Sequence, residues 1–315
     1  MNLLTNKVAL VTGPVLLAFI AFVYFYGEQN PSIYGQLLLG LINGAFYALL
    51  SLGLAVIFGM LNVINFTHGA QFMMGAFVAW MLLEWLGIGY WGALILAPLI
   101  VGATGIILER LMIARLYKLD HLYGLLLTFG LGLIIEGLFR NEFGSSGLPY
   151  RIPPELQGAW DLDFMFMPIY RGWVVVVAFV MCLVTWLVIE KTKIGSYLRA
   201  ATENPALVQA FGINVPRMMT LTYGAGVALA AFAGVLAAPI YSVNPQMGSN
   251  LIIIVFAVVV IGGMGSILGS VLTGFGLGVI EGLTKVFYPE GSSTVIFVVM
   301  ALVLLARPAG LFGRS

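Results

Sequence analysis

Charge is what this chain has least of: 9% of its 315 residues are charged against 61% hydrophobic, too little polar surface to clothe a water-soluble globule. Histidine occurs only at His68 and His121, with no carboxylate or thiol at a ligand spacing, so no metal site is expected. The single cysteine, Cys182, lies inside an apolar run and cannot form an intramolecular disulfide; it reads as a packing residue. No G-x-x-x-x-G-K-[ST] occurs, so the chain does not hold nucleotide phosphates by a P-loop, and any ATP is handled by another subunit. Net charge is +1, which implies no nucleic-acid partner. His, Asp and Cys are scarce in the apolar runs, which disfavours a membrane-embedded enzyme; no catalytic residue and no cofactor is assigned.

What is present is hydrophobic run after hydrophobic run. A hydrocarbon core of about 30 Å takes roughly 20 apolar residues per helix, and such runs occupy 8–26, 34–58, 69–88, 91–110, 122–139, 172–190, 218–238, 251–262, 266–285 and 293–306. The expected fold is an all-α polytopic membrane protein of about ten transmembrane helices in one domain, solvated by membrane lipid. The first run follows Lys7 and lacks a small-residue cleavage pattern, so it reads as a retained helix. Gly262–Ser266 is either a sharp reversal or a kink in one long helix. The reversal places both termini and ten of the fourteen basic residues in the cytoplasm, as the positive-inside rule prefers.

Ten spans divide into five and five, and because five is odd the halves are inverted relative to each other. The expected division is 8–139, an external loop over 140–171, and 172–306. The segment Ile64–Gln71 resembles Val243–Asn250, and Gly92–Glu109 resembles Gly265–Glu281, each of the latter pair Gly-rich and ending in a carboxylate. The external loop, rich in Pro and Gly with acidic residues, reads as ordered and offers a soluble partner a seat.

Three features bear on function. Between Lys191 and Arg217 the chain reads KTKIGSYLRAATENPALVQAFGINVPR, a basic segment enclosed by two apolar runs. Asn204 then Pro205 is an N-cap followed by proline at the first helical position, and Gly212 is a stop. A short helix over Pro205–Phe211 with an apolar face of Ala206, Leu207, Ala210 and Phe211 suits either a groove on a cytoplasmic partner or the lipid surface. Second, LNVINFTHGAQ gathers Asn62, Asn65, Thr67, His68 and Gln71; with Asn244 and Gln246 these uncharged groups either wet a passage for a polar solute or satisfy helix ends at ordinary turns. Third, Glu84, Glu109, Glu136 and Glu281 sit near helix ends, and Arg140 and Lys285 follow two of them at i+4; they read as interfacial anchors, with an ion relay as the other possibility.

The residues LNVINFTHGAQFMMGAF (61–77), LRAATENPALVQAFGINVPR (198–217), GVALAAFAGVLAAPIYSVNPQMG (226–248) and AVVVIGGMGSILGSVLTGFGLGVIEG (257–282) resemble those of the branched-chain amino acid ABC-transporter permeases of the LivH type, over nearly the whole chain from Tyr34 to the RPAGLFG ending. The resemblance implies a type II importer-like permease of a bacterial inner membrane. It further implies a second related permease, a periplasmic substrate-binding protein and two ATP-binding subunits as partners. It assigns 191–217 to the segment that meets an ATPase, with Glu203, Asn204, Pro205, Leu207, Ala210, Phe211 and Gly212 as coupling residues. Ala200-Ala201-Thr202-Glu203 before Gly212-Ile213-Asn214-Val215-Pro216 departs from the Glu-Ala-Ala…Gly pattern of many importers, so the location transfers better than individual contacts. An ion-coupled carrier of a small polar solute is the alternative.

Overall fold

The computed structural model describes residues 30–313 apart from 62, 118 and 164, together with Val23, Tyr26 and Gly27, and for His121 the backbone alone. The expected span 8–26 thus lies almost wholly outside the described residues, and Asn62 lies outside them too. In hydrocarbon a backbone must satisfy its own polar groups, and helices do so within one segment. The apolar runs fold accordingly: α1 Ser32–Leu61, α2 Thr67–Leu86, α3 Tyr90–Leu111, α4 His121–Phe143, α5 Ile169–Lys191, α6 Lys193–Glu203, α7 Pro205–Ala210, α8 Val215–Tyr241, α9 Ser249–Gly262, α10 Ile267–Phe287 and α11 Val295–Ala306.

Among the described residues seven helices, α1 to α5, α8 and α10, are long and apolar enough to cross a membrane. The apolar helices α9 and α11 have 14 and 12 residues, about 21 and 18 Å at 1.5 Å per residue. Each run from 34 onward coincides with one of these nine helices. Gly87, with φ +66°, closes α2, and α3 begins at Tyr90, so Gly87–Gly89 is a turn. Gly262–Ser266 is a reversal: Gly263 and Gly265 have φ +97° and +83°, and α9 and α10 fold back on each other.

Burial sorts the helices. α1 and α8 are enclosed along most of their lengths, whereas α3, α4, α5 and α11 present Leu, Ile, Val and Phe outward, as lipid-facing helices do. α1 packs on α10 and α8 on α3; α2 packs on α8 and α9 on α1; α2 packs on α3 and α4, and α9 on α10 and α11. Small residues allow the close approaches: a Cβ on Gly40 would lie 2.4 Å from the Gly278 carbonyl oxygen, and one on Gly278 2.3 Å from that of Gly40.

The segment between α4 and α5 is ordered and includes a short antiparallel ribbon that the all-α expectation lacked: β1 Ala159–Asp161 pairs with β2 Phe166–Pro168, Trp160 opposite Met167. Leu148 bridges to Val243, tying this loop to the break after α8. At the other end of the chain, Leu311 and Phe312 donate to the carbonyls of Ile261 and Gly262, so the RPAGLFG segment caps α9.

Candidate functional site

The segment after α5 forms two helices where one was expected. α6 is amphipathic, burying Gly195, Leu198 and Ala201, and Arg199 fixes it to the end of α5 by donating to the Ile189 carbonyl (2.7 Å) beside Glu190 (3.5 Å). α7 follows the sequence signals closely. The Asn204 Oδ1 accepts from Leu207 N at 3.0 Å, Pro205 occupies the first turn, and Gly212 leaves the helix with φ +82°. A second cap, Asn214 Oδ1 accepting from Arg217 N (3.0 Å), starts α8. Val208 turns inward against Ala201 and Val215. The predicted apolar face points the other way: Leu207 is 55% exposed and Phe211 77%, one helical turn apart, with Glu203, Ala206 and Ala210 exposed beside them. α6 in turn packs on α5 and α1, and a cavity of about 380 Å³ lined by Met60, Arg199, Thr202 and Phe312 lies under it.

The polar break between α1 and α2 is buried within the chain. Asn65, Thr67, His68 and Gln71 are almost completely enclosed. Asn65 Nδ2 donates to Gln71 Oε1 (3.1 Å), whose Nε2 donates to the Tyr223 hydroxyl (3.3 Å). The His68 Nε2 donates to the Leu50 carbonyl in the middle of α1 (3.0 Å). Thr67 donates to the Thr128 carbonyl, and the Thr128 hydroxyl accepts from Phe66 N. α2 therefore begins beside the middle of α1, where irregular backbone is sheltered by protein. Its predicted counterpart lies against it. A Cβ on Gly69 would sit 2.6 Å from the Gly248 carbonyl oxygen, and one on Gly248 2.0 Å from that of Gly69. There the polar groups face out, with Gln246 exposed and Asn244 half-buried; Ser242 turns the chain with φ +59°.

Two of the four acids behave otherwise than as interfacial anchors. Glu136 pairs with Arg140 as its spacing predicts, and Glu84 is exposed. Glu109, however, is buried and accepts from Thr220 Oγ1 (2.8 Å) and the Tyr117 hydroxyl; burial pushes the Tyr117 pKa up, with Glu109 second, and keeps that phenol a donor. Glu281 pairs with Lys285 but also accepts from Tyr47 (2.7 Å) and Asn43 (3.5 Å), while Tyr241 donates to Asn43 (3.2 Å). Nothing in the local sequence distinguishes Glu109 from a surface acid beside Arg110; the hydroxyls that enclose it come from another helix and from the following connection. Among the described residues no group of three His, Cys, Asp or Glu is placed to hold a metal ion.

A family model described as branched-chain amino acid transport system / permease component matches residues 36–304. The chain is 30% identical over 306 residues to the high-affinity branched-chain amino acid transport system permease protein LivH of Salmonella typhimurium, covering 91% of this chain and 97% of that one. It is 31% identical to the corresponding protein BraD of Pseudomonas aeruginosa, covering 90% and 98%. The permease protein LivM of Salmonella typhimurium is 28% identical, with 84% and 67% covered.

Proposed function

The chain belongs to the branched-chain amino acid transport system permease family, and we propose that it is one membrane subunit of an ATP-driven importer for a branched-chain or related amino acid. It works with a second, related permease, two ATP-binding subunits and a periplasmic binding protein in a bacterial inner membrane, both termini cytoplasmic. That Salmonella typhimurium has permeases named LivH and LivM, both similar to this chain, supports the pairing.

The observation that carries the reading is α7. A six-residue helix capped at both ends holds Leu207 and Phe211 outward, and apolar side chains held rigid on a basic segment fit a groove on a partner. Closure of the ATP-binding subunits pulls on α7; α6, anchored through Arg199 to the end of α5 and packed on α1, carries the pull to the bundle. The transport step is alternating access between two permeases, with Asn244 and Gln246 on the path and Asn65, Thr67, His68 and Gln71 holding the break behind it.

An inverted five-plus-five repeat fits this reading, and matched packing supports it. The pairs α1–α10, α9–α1, α9–α10 and α9–α11 answer to α8–α3, α2–α8, α2–α3 and α2–α4. Tyr47 of α1 donates to Glu281 of α10, and Thr220 of α8 to Glu109 of α3. Six residues after each of these donors, Gly53 and Gly226 meet where α1 packs on α8. The test is the double variant Leu207→Ala/Phe211→Ala in the assembled transporter: uptake falls while ATP hydrolysis by the bound subunits loses its response to solute. Unchanged uptake removes α7 from the coupling path.

A further inference from the structure

Glu281, Lys285, Asn43, Tyr47 and Tyr241 form a polar cluster that neither the sequence motifs nor α7 accounts for. It runs from inside the spans to their ends: Asn43 is eleven residues from the start of α1, about 16 Å, and Glu281 six from the end of α10, about 9 Å, while Lys285 is two residues from that end and Tyr241 closes α8. It is also open. Tyr241 is 45% exposed and the Lys285 side chain 35%, and the polar surface continues through Ser242 to the exposed Gln246. A carboxylate at the depth of Glu281 is not left against lipid, because hydrocarbon does not solvate its charge. An ion pair open on one side is also itself a dipole. A zwitterion inserted between its members keeps both charges matched, ammonium against carboxylate and carboxylate against ammonium, so it enters without leaving an unpaired charge.

We propose that Glu281 and Lys285, framed by Asn43, Tyr47 and Tyr241, are a binding station on the translocation path for a zwitterionic amino acid. The solute ammonium meets Glu281 and its carboxylate meets Lys285, which swings aside on its flexible stem. This rests on the permease reading above and adds to it the residues and the charged solute groups they take.

The experiment uses the whole transporter in proteoliposomes, with L-leucine as the probe solute and Cys182→Ala as a cysteine-free background. Asn43→Cys and Lys285→Cys are expected to react with a small charged methanethiosulfonate, more slowly when L-leucine is being transported, while Leu302→Cys on the outward face of α11 stays unreacted. The double neutral variant Glu281→Gln/Lys285→Gln is expected to lower uptake about tenfold or more, the worth of one charge-assisted hydrogen bond. A pair that served only to hold α10 would be relieved by that double change, so near-normal uptake by it overturns the station. So does an unreactive position 43 and 285 in a transporter that takes up L-leucine. Should the double variant fail to assemble, the cysteine reactivity decides alone. A wild-type assembly that takes up no amino acid overturns the permease reading first, and the station with it.

Discussion

Truncating Phe211 separates docking from folding. With 77% of its surface exposed, the ring contributes little to the packing of its own chain, so Phe211→Ala should shift stability by no more than about 0.5 kcal/mol. Full burial of a phenylalanine is worth about 1.5–3 kcal/mol. If the exposed ring enters a groove on the ATP-binding subunit, its loss weakens docking by about 1.5–2 kcal/mol, or about 10- to 30-fold. Val208, one turn of chain away and 6% exposed, is the internal control: Val208→Ala should lower stability by about 1.5–3 kcal/mol through lost burial and the cavity left. Titrating the labelled ATP-binding subunit onto transporter held in nanodiscs gives the affinity, and differential scanning fluorimetry gives the stability. Docking by Phe211→Ala within about twofold of wild type, or a melting shift equal to that of Val208→Ala, refutes the assignment of α7.

Removing the cap with Asn204→Ala should cost about 1 kcal/mol, read as weaker docking and a melting shift smaller than that of Val208→Ala. Gly248→Val drives a side chain into the Gly69 backbone, where a Cβ alone stands 2.0 Å from the carbonyl oxygen; the folded yield on size-exclusion chromatography should collapse. Gly87→Ala meets nothing within 4 Å but must hold φ +66°, so its cost should be only about 1–2 kcal/mol. Glu109→Gln keeps an acceptor for the Tyr117 hydroxyl and offers its amide as a donor to Thr220, whose hydroxyl can still donate to the Pro216 carbonyl, and should leave uptake near wild type, whereas an ion-coupled carrier relaying through Glu109 would lose it. Glu109→Ala, by contrast, removes the acceptor of the half-buried Tyr117 hydroxyl and leaves Thr220 only the Pro216 carbonyl (3.1 Å), and should destabilise by about 1–2 kcal/mol in thermal unfolding.

Runs of apolar residues announced the helices because hydropathy and length are local properties. The α7 caps were equally legible: Asn204, Pro205 and Gly212 each act on their own backbone. α6 was missed because Lys193–Glu203 is amphipathic rather than apolar, and its helicity depends on the face it lays on α5 and α1. The β1–β2 ribbon is three residues per strand, below what alternation can signal. For Glu109 and Glu281 the spacing to Arg110 and Lys285 suggested surface pairs; what differs is the hydroxyl each meets from a distant helix, Thr220 in one case and Tyr47 in the other. The polar residues of the α1–α2 break stand out by composition, but composition does not say which way a side chain faces. Asn65 and Gln71 turn to Tyr223 and each other, and the outward polar surface lies instead at Gln246 and around Glu281.

The central claim is that this chain moves an amino acid only in company with ATP-binding subunits. It is tested most directly by purifying the chain through a tag in mild detergent, identifying by mass spectrometry what comes with it, and measuring amino-acid uptake by the reconstituted material with and without ATP. Recovery of a second permease and two P-loop subunits, with uptake that requires ATP, is the predicted result. Recovery of the chain alone, driving uptake from an ion gradient without ATP, would contradict it.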